Sequence, residues 1–521
     1  MRVTTLANRV ACGLLDLSVL PRLFLATIVS VLRRDGNALL VLTYVRGLQG
    51  HVGSAKAELS RPPAGTLRLF AWELSYFSGK VRAYLRYKKR FSNLTFDEVV
   101  ATPSIVKDVL VRSTQSATVP QLQLPDGRFV QDSTEILDEV ELLYPVSPVL
   151  PALDHPRQRL TCQLLEFLGD EWLLVPAFHW RWAYSGDGSR GQLMPHTGGA
   201  RPPNHRQWNE LQWGNFLLPK AHDEVKVKAA QWFFRNILFT RRGVKNSIKL
   251  LGVTWHTVGA WEASCKHFLE AFEAHLQCHD FVLGGRPSTA DFGLLGPLFA
   301  HLYRDPVPGQ MMRSECPLVV KWVERLHHRG GEPLIGENIE GDAEDWLPDD
   351  KVPDTVLPML QIFFTEMWPV LKSTCRVLTD YLRSGDHDGG ALPGKSFGPG
   401  CADQRGWGPL QHAFSLPFRS DGVPGGRSHG TRMVMPYHIW MLQRLERTVM
   451  STPDRHLLGE FLRLIGGKEL LQLSSMLDGC RVVKRKGLIF PEGSTPPASL
   501  APRLLVLGAV ALALSLARHR I

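Results

Sequence analysis

The chain has no Cys-x-x-Cys pair. Its eight cysteines (Cys12, Cys162, Cys265, Cys278, Cys316, Cys375, Cys401 and Cys480) are scattered over 521 residues. That spacing argues against a disulfide framework and for reduced thiols in a cytosol-like compartment. Net charge is missing from the body of the chain: residues 67–480 hold 45 Lys+Arg against 46 Asp+Glu. A near-neutral body removes the case for a nucleic-acid groove. The formal excess of +10 belongs to the ends, with 8 basic against 3 acidic residues in 1–66 and 7 against 1 in 481–521. Charge placed there suits targeting or a membrane surface.

Acids are nearly absent from the first 34 residues, where Asp16 stands alone against Arg2, Arg9, Arg22, Arg33 and Arg34 around the run LSVLPRLFLATIVSVL. Two readings fit: a mitochondrial or other organellar presequence, or a helix docked on the body. Pro21 and Arg22 interrupt the run and disfavour a secretory signal. A membrane-length apolar run is also lacking. Leu504 to Ala517 gives 14 apolar or small residues, a helix of about 21 Å against a hydrocarbon core of roughly 30 Å. Arg503, Arg518 and Arg520 could snorkel and extend its reach. A short tail anchor to an organelle membrane is one expectation, and an interfacial or buried terminal helix the other. The preceding PEGSTPPASLAP reads as a tether. No internal repeat is present.

What is there is a globular composition: 44% hydrophobic residues, with 14 Trp and 24 Phe, enough for a large aromatic core or an apolar pocket. The length calls for two or more domains. From Thr66 the pattern becomes regular. LRLFAW, from Leu67, reads as a strand and residues 78–88 as a helix. FDEVVA (96–101) alternates like a strand, and a short helical segment follows near 104–113. VPQLQL and RFVQ form two strands joined at Pro125-Asp126-Gly127, and DSTEILDEVELL a helix capped by Asp132 or Ser133. Beyond Pro145 nearly everything is helical. RQRLTCQLLEFLGDEWLLVPAFHWRWAY is one long segment with a kink expected at Pro176. Residues 185–210 read as an insertion loop. Ser288 or Thr289 with Asp291 opens an apolar helix. Farther on, helices are expected at 355–383, 436–449 and 455–478, around a Gly/Pro-rich loop from about 384 to 430. The expected units are 1–65, 66–145, 146–345, 346–485 and 486–521.

The order β-α-β-α-β-β-α followed by a helical region resembles the glutathione S-transferase superfamily over roughly 66–330. In that fold class an α/β thioredoxin-like domain precedes an all-α domain; here a mostly helical extension follows. SYFS (75–78) sits where that family places its catalytic hydroxyl or thiol residue. Val119-Pro120 matches its Val-Pro, whose proline is cis. Asp132-Ser133 matches its acidic-Ser pair, and Ser288-Thr289-Ala290-Asp291 its capping box. The resemblance implies glutathione as co-substrate, with no metal, and an apolar electrophile as second substrate. Ser75 is the first candidate to activate the thiol and Ser78 the second, a serine at a helix start being equally an ordinary N-cap. Val119, fixed by Pro120, would pair with the cysteinyl unit. Asp132 and Ser133 would hold the γ-glutamyl end, Asp132 by its ammonium. Trp172, His179, Trp180 and Trp182 are candidates for the second-substrate pocket, or else core. A homodimer is a further family expectation.

Two departures stand out: QSAT before Val119 lacks a basic residue for the glycyl carboxylate, and the first turn has serine rather than cysteine, which favours conjugation or isomerisation over thiol exchange. The apolar tail is similar to that of the metaxins and the ganglioside-induced differentiation-associated proteins, membrane-tethered relatives with the same body, so a non-enzymatic adaptor is the alternative function. Three other patterns fail on their surroundings. Gly394-Lys395-Ser396-Phe397-Gly398 lacks the strand and helix of a nucleophile elbow. His275, Cys278 and His279 have no second ligand cluster. Asn93-Leu94-Thr95 is a sequon that matters only in a secreted chain.

Overall fold

The computed structural model describes residues 64–114, 116–186, 194–197, 203–239, 244–329, 345–385, 390–392, 410–485 and 487–494. The basic N-terminal segment up to residue 63, the tail Leu504 to Ala517 and the GxSxG stretch lie outside them. Among the described residues no helix is long and apolar enough to cross a membrane.

The first unit is a four-stranded mixed sheet in the order β2-β1-β3-β4. Strand β1 (Leu67–Ala71) is buried along its whole length, as a strand covered on both faces must be. Its one charged residue, Arg68, is neutralised by Asp97 on the neighbouring strand at 2.6 Å. Helix α1 (Tyr76–Phe91) follows, with Lys88, Lys89 and Arg90 in its last turn, where cations suit the helix dipole. Strand β2 (Phe96–Val100) runs parallel to β1. A helical crossover, α2 (Pro103–Ile105, Val106–Leu110 and Val111–Thr114), packs on the opposite face of the sheet over Phe70. Strands β3 (Gln121–Gln123) and β4 (Phe129–Gln131) are antiparallel and joined through Gly127 at φ 90°. Helix α3 (Ser133–Leu143) returns to the α1 side. The sequence predicted this order element for element.

The second unit is helical. Helix α4 (Pro156–Phe167) continues through Leu168–Trp172 into α5 (Leu174–Ala183). The irregularity falls in the widened turn 168–172, just ahead of Pro176, whose missing N–H that turn absorbs. The expected loop at 185–210 is partly helix: α6 (Pro203–Leu217) opens at a proline suited to a first helical turn. It packs against α7 (Asp223–Phe233). Then come α8 (Val244–Leu250), α9 (Val258–His275), α10 (Thr289–Pro297), α11 (Pro306–Glu315) and α12 (Pro317–Arg329). The cap at Ser288 and Asp291 is a complete capping box.

The extension contains α13 (Leu357–Ile362), α14 (Trp368–Arg383), α15 (Tyr437–Ser451), α16 (Arg455–Leu464) and α17 (Leu473–Leu477). It also contains two hairpins that the sequence reading missed. Strands β5 (Gln411–Phe418) and β6 (Pro424–Met433) replace the second half of the expected Gly/Pro-rich loop. Gly252 and Gly430 explain the fit, since a Cβ at either would stand 2.5 Å and 2.7 Å from the Phe414 ring. Strands β7 (Val482–Arg485) and β8 (Leu488–Pro491) form the other hairpin. The extension shares one core with the helical unit. Thr448 donates to Gln163 at 2.8 Å, and Trp172 donates to the Glu366 carboxylate at 2.9 Å.

Candidate active site

The chain leaves β1 at Ala71, turns through Trp72–Leu74 and enters α1 with Ser75 as its N-cap. The half-buried Ser75 hydroxyl accepts from the Ser78 N–H at 3.3 Å and donates to the Val119 carbonyl at 3.3 Å. Ser78 has a different place. It is fully buried, and its Oγ accepts from the Trp72 N–H at 3.2 Å, bracing the turn from inside. Of the two serines, Ser75 is therefore the one with access to a ligand. The turn is also pinned by the helical unit. Arg181 Nη1 donates to the Leu74 carbonyl and Arg304 Nη1 to the Glu73 carbonyl, both at 2.8 Å. Arg181 is held in turn by Asp305, whose carboxylate is completely buried.

The Val119-Pro120 bond is cis. Gln121 fixes the approach to it by donating to the Ser116 and Thr118 carbonyls, each at 3.0 Å. Val119 is half-buried and faces the Ser75 hydroxyl through its carbonyl.

Asp132 caps α3, accepting from the Thr134 N–H at 3.0 Å. Its φ of 89° is one that non-glycine residues seldom take and costs on the order of 1–3 kcal/mol, a kind of strain that clusters at functional sites. Ser133 is buried beside it. The α3 N-terminus thus presents an anion-favouring helix end beside a carboxylate.

The extension reaches this carboxylate. The Tyr437 hydroxyl donates to both Asp132 oxygens at 3.2 and 3.0 Å, and Lys484 Nζ lies 3.0 Å from Oδ2. Lys484 also pairs with Glu135 at 2.7 Å, and its ammonium stands 4.6 Å from the Trp440 ring centre. Burial, and then the Asp132 charge, push the Tyr437 hydroxyl well up, so it stays a donor. Burial raises Glu135 against the pull of Lys484.

Beneath the site lies a buried ion cluster. Lys80 on α1 meets Glu166 and Asp170, each at 2.7 Å, and all three are within 2% of full burial. The Thr134 hydroxyl donates to Glu166 at 3.2 Å. Burial alone would lower the Lys80 ammonium, but the two carboxylates outweigh it and raise it. This cluster ties α1, α3 and α4 together.

The expected second-substrate residues lie elsewhere. Trp172 and His179 are fully buried and Trp180 nearly so. Trp172 donates to Glu366, and His179 Nε2 lies 2.8 Å from Glu262 Oε1. They are core, because α4 and α5 are covered by α9 and the extension. Beside the Ser75 turn the insertion adds aromatic side chains: Trp213 and Phe216 of α6 pack on Trp72 with ring centres 4.9 and 4.4 Å apart, and of the expected residues Trp182 alone joins them, 5.6 Å from Trp213. Among the described residues no group of His, Cys, Asp and Glu is arranged to hold a metal. Both His275 nitrogens have protein partners, Thr355 at 2.8 Å and the Phe281 carbonyl at 3.1 Å.

Comparison with known families gives two matches: residues 69–148 to the glutathione S-transferase N-terminal domain, and residues 263–329 to the glutathione S-transferase C-terminal domain. No curated protein matches the chain. Among solved structures, a glutathione S-transferase from Rhodospirillum rubrum is 16% identical over 53% of this chain and 95% of that one, with a TM-score of 0.31. A rice glutathione S-transferase in complex with glutathione is 17% identical over 51% and 87%, with a TM-score of 0.30. The beta-etherase LigF from Sphingobium is 21% identical over 50% and 94%, with a TM-score of 0.29.

Proposed function

We propose, from the match of residues 69–148 and 263–329 to the glutathione S-transferase N- and C-terminal domains, that the chain binds glutathione along the seam from Ser75 through Val119 to Asp132 and activates the thiol for conjugation to an apolar electrophile. One observation carries the reading: the Ser75 hydroxyl, at the N-terminus of a sixteen-residue helix, contacts the Val119 backbone beside cis-Pro120. A thiol has an ordinary pKa near 8.5. A hydroxyl donor and a helix N-terminus aimed at the sulfur favour its anion and raise the reactive fraction at neutral pH. In this assignment Ser75 turns its hydroxyl from Val119 to the thiolate, Val119 pairs with the cysteinyl unit as an added strand would, and the α3 N-terminus with Ser133 takes the γ-glutamyl carboxylate.

The test is a calorimetric titration of glutathione into the full chain and into Ser75→Ala, each followed by conjugation with a generic aryl halide. The expected result is similar binding and a rate lower by about a hundredfold in the variant, the usual scale for losing one donor to a developing anion. Equal rates would remove Ser75 from the chemistry.

A second reading, a non-catalytic adaptor on the same fold, is favoured by a different observation. Lys484 and Tyr437 already satisfy Asp132. If neither protein binds glutathione at millimolar concentration, the adaptor reading replaces the first.

A further inference from the structure

Two buried thiols touch each other in the extension. Cys375 lies on α14, and Cys480 in the turn between α17 and β7. Helix α14 packs against α17, and the turn after α17 rests on the same helix. A Cβ at Gly479 would stand 3.2 Å from Thr379 Cγ2, one helical turn along from Cys375. Gly479 holds φ 81°, which suits glycine and delivers Cys480 to the helix. There the Cys375 thiol and the Thr379 hydroxyl donate to the Cys480 sulfur. As a thiol, Cys480 donates in turn to the Leu477 carbonyl at 3.4 Å.

The pair lies just beneath the surface, since Asp478, Gly479 and Arg376 beside it are exposed. The hydrogen bonds from Cys375 and Thr379, with the Arg481 charge, hold the Cys480 thiol below its ordinary range against burial. The same Cys375–Cys480 bond, and then burial, raise Cys375. The other buried thiols have no such support. Burial pushes Cys162 up to about 12 and Cys316 up to about 11, and it raises Cys265 as well. Oxidation proceeds through the thiolate, so Cys480 is the sulfur that reacts first and Cys375 the one placed to resolve it.

We propose that Cys375 and Cys480 are a reversible redox pair, which a peroxide converts to a disulfide bracing α14 against the start of β7. The Cys480 thiolate attacks one peroxide oxygen, the O–O bond breaks, and the departing hydroxide takes a proton and leaves as water. Cys480 is then a sulfenic acid. The Cys375 sulfur attacks it: the S–S bond forms, the S–O bond breaks, and the hydroxide leaves with the Cys375 proton as a second water. Two thiols and one peroxide thus give one disulfide and two waters, with two electrons passing from sulfur to peroxide. A dithiol reductant reverses the change by exchange. The loop so closed holds β5, β6, α15, α16 and α17, and a cross-link over a long loop restrains the unfolded chain most.

The experiment treats the full folded chain with hydrogen peroxide at neutral pH, alkylates the remaining thiols and maps the unreduced peptides by mass spectrometry. Wild type should yield a peptide pair linked through Cys375 and Cys480 that dithiothreitol separates. The linked chain should melt higher than the reduced one by roughly 3 °C or more. In Cys375→Ser the link is lost and dimedone, a sulfenic-acid trap, should label Cys480. In Cys480→Ser, dimedone should label Cys375 at least about tenfold more slowly than it labels Cys480 in the reciprocal variant, because the thiolate is the reactive form. The wild-type result depends on neither variant folding. If peroxide leaves both thiols free in the folded wild type, or links them only once urea has unfolded it, the redox pair is overturned. Equal labelling of the two single variants would overturn the order of attack, and a linked chain that melts no higher would overturn the brace.

Discussion

Removing the Lys80 ammonium should destabilise the protein more than removing any surface charge. In Lys80→Met the side chain keeps its volume, but Glu166 and Asp170 remain, both at 2% side-chain exposure and without their shared cation. Breaking a buried pair by deleting one partner costs about 3–5 kcal/mol, because a charge is left buried and uncompensated. Against a total stability of roughly 5–15 kcal/mol for a folded protein, that is a large share. The readout is urea unfolding followed by tryptophan fluorescence, with Trp172 and Trp261 packed together in the core at 4.8 Å between ring centres. The midpoint should fall sharply while secondary structure before the transition is retained. The control is the triple variant Lys80→Met, Glu166→Gln, Asp170→Asn. With no charge left to strand, it should recover most of the loss, since what is costly is the unpaired charge rather than the missing bond. A Lys80→Met loss below about 1 kcal/mol, the scale of an exposed pair, or a triple variant no more stable than the single one, would refute the electrostatic account of this cluster.

Three other expectations follow from the same structure. Glu366 is raised to about 7 by burial, against the hydrogen bonds donated by Ser264 and Trp172. The folded protein therefore holds a proton that the unfolded chain has released above pH 4.5, and stability falls as pH rises from 4.5 to about 7. The fall is about 3 kcal/mol in all, and Glu366→Gln should flatten the difference between unfolding measured at pH 5 and pH 8. Gly430→Ala puts a methyl 2.7 Å from the Phe414 ring and should cost about 1–3 kcal/mol by overpacking, read as a lower melting temperature. Asp305→Asn loosens Arg181 from the Leu74 carbonyl. If that carbonyl helps set Ser75, conjugation should slow while glutathione affinity changes little, and a change in affinity alone would show the contact to be merely structural.

What could be read from the sequence was local. Ser75, Val119-Pro120, Asp132-Ser133 and the box at Ser288 and Asp291 are backbone devices of two to four residues, each with a strand end or helix start beside it. The structure turns each into a cap, a cis bond or a turn. Pairing at long range was not legible. Lys80 lay inside what read only as a helix over 78–88, and nothing in its neighbourhood announced acids 86 and 90 residues away. The aromatic residues of α4 and α5 misled for another reason: helical periodicity marks a covered face without saying whether a pocket or a neighbouring helix covers it. The hairpin 411–433 was hidden by its glycines, which suggest a loop by composition but here make room for Phe414.

The extension matters most where it meets Asp132, and charge arithmetic explains why. Asp132 and Glu135 lie within one turn of the α3 N-terminus, and Lys484 at 3.0 and 2.7 Å is the cation paired to both. Two part-buried carboxylates this close need a cation, whichever molecule provides it. Tyr437 is 305 residues from Asp132 in sequence, so the pairing exists only because α15 packs against α4. A ligand ammonium at this carboxylate would have to compete with Lys484 for it. Calorimetry on Lys484→Ala should therefore give tighter glutathione binding than wild type, and an unchanged affinity would refute competition at Asp132.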